Sequence, residues 1–182
     1  MSKTRPPIPI MSEDQERFMA FEGLVQWTAA TVEQGERIAR ATRAMHAAFN
    51  LEDTSQRLRL CAAQLRTEHH YFAICANKVL EHRSWLEQLN ICGDLDLSEF
   101  DAFPVRDVRD LRNMREHVAD YFKGRGRDAE RWRIDTPEFS ADASSCAGTV
   151  IGGRLDWSAF ARAAERVLPS LLRCAVRVHK IP

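Results

Sequence analysis

Residues 54–90, TSQRLRLCAAQLRTEHHYFAICANKVLEHRSWLEQLN, carry the pattern that decides the fold. Leu58, Leu65, Phe72, Val79 and Leu86 recur every seven residues, with Cys61, Ala62, Ala76 and Leu89 beside them. An α-helix turns once every ~3.6 residues, so this repeat holds the apolar side chains on one stripe. The stretch predicts one long helix from about Thr54 to Asn90, packed through that stripe. At ~1.5 Å per residue it spans on the order of 50 Å.

Working outward toward the N-terminus, Phe18, Phe21 and Val25 recur at helical spacing with Leu24 beside them, and Ile38, Ala41, Met45 and Phe49 carry the stripe on to Asn50. Ser12 and Gln15 form a capping-box pair ahead of this run. Thr31 with Gln34 offers a second cap, so 13–49 reads as one long helix or as two with a break near Thr28–Thr31. Two long helices in succession predict an elongated antiparallel bundle. Residues 1–11, with two adjacent prolines, read as a flexible arm and 177–182 as a tail, leaving a single domain over 12–176.

Toward the C-terminus, Gly93 and the acidic run LDLSEFDAF interrupt the helical pattern. Pro104 suits the first turn of a new helix. VRDVRDLRNMREHVADYFKG, residues 105–124, then predicts one amphipathic helix with Gly124 as its stop. Val108, Leu111, Met114, Val118, Tyr121 and Phe122 fall on one face, and Asp110, Arg112, Asn113, Glu116, His117 and Asp120 on the other. Arg115 sits at the boundary and must snorkel or meet a partner. Residues 140–155 are small or β-tolerant and are punctuated by glycines, which predicts a hairpin or ordered loop. Asp156 caps a last helix lined by Trp157, Phe160, Ala164, Val167, Leu168 and Leu171, with Pro169 as a kink. The fold class is all-α, an elongated antiparallel helical bundle with a short β-hairpin or irregular insertion before the last helix.

The 182 residues carry 26 Lys+Arg against 26 Asp+Glu, which excludes a globally basic nucleic-acid binder but not a local basic patch. Such a patch exists: residues 105–133 hold nine basic and six acidic residues. Five cysteines without a C-x-x-C pair fit thiols kept reduced in the cytoplasm rather than a disulfide framework or zinc site. No apolar run approaches the ~20 residues of a membrane span, and the N-terminus lacks the apolar core of a secretion signal.

Chemistry concentrates in 105–127. Asn113 and His117 lie one helical turn apart. A neutral imidazole can take the proton of a ribose 2′-hydroxyl, and an imidazolium can return one to a leaving 5′-oxygen. Arg112 can hold non-bridging phosphate oxygens as charge grows on them. Arg112 and His117 are about 140° apart on the helix, so they flank its wet face. Two copies meeting across a dimer axis complete a groove. Lys123, Arg125 and Arg127 lie where RNA phosphates leaving that groove meet them. The competing reading is a solvated helix face with an Arg112–Glu116 ion pair. A metal alternative would use Glu68, Cys75 and His82, which are seven residues apart, but the Glu-x-x-His pairs of di-iron bundles are missing. No metal or cofactor is expected, and no Gly-rich phosphate loop or nucleophile elbow is present.

The run LRNMREH, 111–117, in a helical chain resembles the signature of the HEPN superfamily, in which Arg is followed by a polar residue and is separated from a His by four to six residues; here the gap is four. The resemblance covers about twenty residues and a bundle architecture. It implies a dimeric, metal-independent endoribonuclease with Arg112 and His117 as the catalytic pair and Asn113 as a supporting polar group. Toxin and defence-related members imply RNA as substrate and an antitoxin or regulatory protein as a further partner. In some toxins the motif continues His-x-Tyr; here position 119 is Ala. Inactive members leave a second expectation open, a non-catalytic helical module that binds nucleotide, RNA or a protein partner.

Overall fold

A computed structural model describes residues 11–49 and 55–178. Residues 1–10, 50–54 and 179–182, which include most of the expected arm and tail, lie outside the described residues. Five α-helices and two small antiparallel sheets are present among those described.

Helix α1 (Glu13–Phe49) opens with both halves of the capping box: Ser12 N–H donates to Gln15 Oε1 at 3.0 Å, and Gln15 N–H to Ser12 Oγ at 3.3 Å. It runs unbroken through Thr28 and Thr31. Both threonines are fully buried, and the Thr31 hydroxyl donates to the Trp27 carbonyl one turn back rather than capping a new helix.

Helix α2 (Ser55–Gln88) lies antiparallel to α1. Trp85 Nε1 donates to Glu16 near one end, and Gln34 Nε2 donates to the Glu68 carbonyl and carboxylate nearer the other. Along the heptad stripe Phe72, Val79 and Leu86 are buried, while Leu58 and Leu65 are half-buried.

Helix α5 (Trp157–Val178) packs on the same pair, chiefly on α1. A Cβ on Gly35 would come within 2.8 Å of the Ala161 methyl, so glycine sets how closely α1 and α5 approach. Phe72, Phe160, Phe100 and Phe103 form an aromatic cluster where α2, α5 and the short 3-10 turn Ser98–Phe100 meet, with Phe72 and Phe103 edge-to-face on Phe160 and Phe100 tilted against it. The Asp156 carboxylate accepts from Ala159 N–H at 3.0 Å and caps α5. The sulfurs of Cys92 and Cys174 stand 3.0 Å apart and join the α2–α3 connection to α5. Among the described residues no helix is long and apolar enough to cross a membrane.

The expected helix over 105–124 is two helices. Helix α3 (Val105–Glu116) packs on α2 through Val108, Leu111 and Met114. His117 leaves helical geometry at φ −109°, ψ 29°, and α4 (Val118–Phe122) follows. The break re-aims the apolar residues after it. Tyr121 stacks on Trp132 at 5.2 Å, Phe122 meets Trp132 edge-on at 5.6 Å, and Phe122 stays 76% exposed. Both rings meet Trp132 on the chain that follows, and Tyr121 and Trp132 in turn pack on the edge of the bundle core. Gly124 ends α4 at φ +68°, with Arg125 N–H on the Asp120 carbonyl and Gly124 N–H on the Tyr121 carbonyl. That is the hydrogen-bond pair of a Schellman stop.

The β-structure before α5 begins earlier than expected. Strands β1 (Arg133–Asp135) and β2 (Ser140–Asp142) form one hairpin. Strands β3 (Cys146–Ala147), β4 (Val150–Ile151) and β5 (Leu155–Asp156) form a second antiparallel sheet. Gly152 seats this sheet on α3: its φ is +59°, and a Cβ there would collide with Leu111.

Candidate functional site

The exposed face of α3 and the chain just after it bound an open cleft of about 750 Å³. Arg106, Arg109, Asp110, Asn113 and His117 supply one wall. At about 100° per residue these five positions fall on a single stripe about 100° wide. Asp120, Tyr121, Arg125, Arg127, Asp128 and Arg131 supply the other wall. Tyr121 fixes that wall, because its hydroxyl donates to the Arg127 carbonyl at 2.7 Å and its ring covers Gly126.

Asn113, His117, Arg125 and Arg127 are therefore brought together. Arg112 and Lys123 are not among the residues lining the cleft. The Arg112 guanidinium lies beside Glu116, Nε to Oε2 3.0 Å, and its Nη1 donates to Asn113 Oδ1 at 2.8 Å. Its charge also reaches Glu81 on α2. Burial opposes the charged form of Glu81, but hydrogen bonds from Lys78 and Asn77 and the charges of Lys78 and Arg112 outweigh it and hold the carboxyl below its ordinary pKa. Arg112 thus sits between Glu116 and Asn113 and holds the Asn113 amide by its oxygen. His117 is exposed, and its backbone stays tied on both sides: N–H to the Asn113 carbonyl at 3.0 Å, carbonyl to Asp120 N–H at 2.9 Å.

The cleft carries five arginines against three aspartates. Arg131 pairs with Asp110 and, at 3.0 Å, with Asp107; Arg106 lies 3.8 Å from Asp110, and Arg125 lies 3.5 Å from Asp120. Among the described residues no carboxylate lies within ion-pair distance of Arg109 or Arg127. These two supply the uncompensated positive charge. Arg106 and Arg109 are not among the residues expected from sequence, although their places on the helical stripe of Asn113, seven and four residues before it, carry the signal. Arg131 reaches the cleft only through tertiary structure and left no local signal.

Arg115, three residues after Arg112, has a structural role. Its Nη1 donates to the Ala143 carbonyl at 2.9 Å and its Nη2 to the Arg66 carbonyl at 3.1 Å, tying the sheet region and α2 to α3. Burial pulls its guanidinium below the ordinary arginine pKa. Burial, aided by the Arg115 charge, also pushes His69 down to about 4, so that imidazole is neutral. The residues of the metal alternative are engaged elsewhere. Glu68 accepts from Gln34, Cys75 is buried with its thiol pushed up to about 11, and the His82 ring lies on Gly23 and Trp85. Among the described residues no three His, Cys, Asp or Glu side chains converge on a metal-sized site. No protein-family model, no curated protein and no solved structure matches the chain, so its function is read from the chemistry of this cleft.

Proposed function

We propose that the chain is a metal-independent endoribonuclease of the HEPN type, acting as a homodimer. The observation that carries this reading is the pairing of Asn113 and His117 one turn apart on the wall of an open, arginine-rich cleft. His117 takes the proton of the ribose 2′-hydroxyl. The 2′-oxygen attacks phosphorus, the bond to the 5′-oxygen breaks, and the second imidazole of the dimer, or the same one after protonation, donates a proton to the leaving oxygen. Asn113 orients the phosphate. Arg125 and Arg127 attract the chain, with Lys123 outside the cleft wall extending the basic track.

Arg112 stabilises the pentacoordinate phosphorus once it turns from Glu116 toward substrate. Both side chains of that ion pair are more than a quarter exposed. An incoming phosphate would replace Glu116 and Asn113 as partners of the guanidinium, offering it charge-assisted bidentate hydrogen bonds in exchange. The position of Arg112 outside the cleft wall favours one second reading, a non-catalytic module that binds RNA without cutting it.

The test is RNA cleavage in EDTA by wild type and His117→Ala, alongside sedimentation and circular dichroism. Wild type is expected to cut and to sediment as a dimer, and His117→Ala to lose cleavage with its helicity and dimer intact. Cleavage that survives the substitution, or that needs a divalent ion, overturns the mechanism.

A further inference from the structure

Residues 93–173 carry both walls of the cleft, and the two residues that flank this segment are cysteines. Cys92 and Cys174 are 82 positions apart in sequence, yet their sulfurs meet at 3.0 Å as thiols. A disulfide holds its sulfurs ~2.05 Å apart, so a movement of about 1 Å separates the pair from a covalent bond. The two thiols differ in access. Cys174 lies in the core, 4% exposed. Cys92 is half-buried and lines a second open cleft, about 390 Å³, with Arg83, Asn90, Gly93 and Ser98. A Cβ on Gly93 would meet nothing within 4 Å, so this turn is open to small solutes. The backbone fixes Cys92 in place. Asn90, at φ +50°, stops α2: its N–H donates to the Glu87 carbonyl and Ile91 N–H to the Leu86 carbonyl, both at 3.2 Å. Cys92 follows at φ +54°, with its carbonyl accepting from Leu95 N–H at 2.8 Å. Side-chain-bearing residues seldom adopt that conformation, so the surrounding structure imposes it. Elsewhere, burial pushes the Cys75 and Cys146 thiols up to about 11, which keeps both protonated and slow to react at neutral pH.

We propose that Cys92 and Cys174 form a peroxide-sensitive latch, with Cys92 as the attacking thiol and Cys174 as the resolving one. The Cys92 sulfur, as thiolate, attacks one oxygen of hydrogen peroxide. The O–O bond breaks, the thiol proton goes to the departing oxygen, water leaves, and Cys92 becomes a sulfenic acid. The Cys174 sulfur then attacks the Cys92 sulfur. The S–S bond forms, the S–O bond breaks, and a second water leaves with the Cys174 proton. Two thiols give up two electrons and peroxide is reduced to two waters. Burial of Cys174 directs this second step inward, since its sulfur is reached from Cys92 rather than from solvent. The bond joins the two ends of the segment that carries the cleft and makes the oxidised chain harder to unfold. A thiol reductant reopens it. The latch is independent of what the cleft binds.

The experiment treats the full chain with a few equivalents of hydrogen peroxide, counts thiols, maps cross-linked peptides by mass and follows thermal unfolding. Wild type is expected to lose two of its five thiols and to yield one peptide pair joined through Cys92 and Cys174. Its Tm is expected to rise by about 5–15 °C, with dithiothreitol reversing every change. Cys174→Ala is expected to form no disulfide, to gain no thermal stability, and to stop at a Cys92 sulfenic acid that dimedone captures. Cys92→Ser is expected to give neither product, and Cys61→Ser to match wild type. Circular dichroism of each reduced variant checks its helicity before peroxide is added. If Cys174→Ala does not fold, dimedone present during the wild-type reaction locates the sulfenic acid instead. Five thiols left after peroxide, a cross-link between other positions or between two chains, or dimedone on Cys174 rather than Cys92 overturns the proposal. So does a Cys92–Cys174 bond that leaves Tm where it was.

Discussion

The long-helix bundle and the stretch from His117 to Asp156 are held by different kinds of contact. Between α1, α2 and α5 the contacts are apolar side chains at regular spacing: Phe21, Leu24, Ile38, Phe72, Val79, Phe160 and Leu171 are all buried. In the second region the ties run from side chains to backbone carbonyls. Arg115 reaches Ala143, Arg154 reaches Gly152 and Arg131, and Tyr121 reaches Arg127. Asp142 organises its own turn by accepting from the backbone N–H groups of Ser144 and Ser145. The first region owes its stability to the area it removes from water. The second also sinks Ala143, Ile151 and Leu155 into the same core, and adds to that burial a few directed bonds, each worth about 0.5–1.5 kcal/mol, or somewhat more where a charge is involved. The cleft is built where the two regions meet, with one wall on α3 and the other on the directed-bond side.

The largest blow to the bundle side is Phe72→Ala. The ring is fully buried and touches Trp157 and Phe160. Its removal is expected to cost about 3–5 kcal/mol in urea denaturation, with the slope of the transition unchanged.

A smaller effect comes from acid, at the seam. In the unfolded chain His69 takes a proton below pH ~6.5, whereas in the folded chain burial and Arg115 delay protonation to about 4. The unfolded state therefore holds more protons between these values, and stability falls as pH drops from 6.5 toward 4 and levels off below. The loss is on the order of 3 kcal/mol at most. His70 and His82 are also lowered, chiefly by burial, and add to it with the same sign. His69→Gln, followed by denaturation at pH 7, 6, 5 and 4, is expected to flatten this slope; an unchanged slope would show that the acid sensitivity lies elsewhere.

The mildest test separates the regions. Gly152→Ala places a methyl at positive φ against Leu111 and close to the backbone of Ala143. It is expected to cost about 2 kcal/mol. Amide exchange is expected to quicken across 140–156 while α1 and α2 keep their protection. Equal loosening of α1 and α2 would mean that the two regions unfold as one.

The same contrast explains what was legible beforehand. The stripe Leu58–Leu86, the Ser12/Gln15 cap, the Asp156 cap and the Gly124 stop are local signals, and each is present as expected. The break at His117 was not legible, because VRDVRDLRNMREHVADYF keeps helical periodicity across it. After the bend Tyr121 and Phe122 meet Trp132, a contact that helical periodicity does not encode. For the same reason the cleft was half visible. Asn113, His117, Arg125 and Arg127 line it, and the Arg112–Glu116 pair of the competing reading is present, but no local pattern shows that Arg131 folds back onto Asp107 and Asp110. The β-structure was foreseen over 140–155 but begins at Arg133, since β1 carries too few residues for an alternation to register.

At His117 the main chain is anchored in both directions while the ring projects into water. Folding accordingly places almost no demand on which residue stands there. Natural variation can exchange that side chain freely as far as the scaffold is concerned, so only selection for what the ring does would keep it a histidine. Drift at this position among descendants of a common ancestor would then record a change of trade, with the architecture left standing.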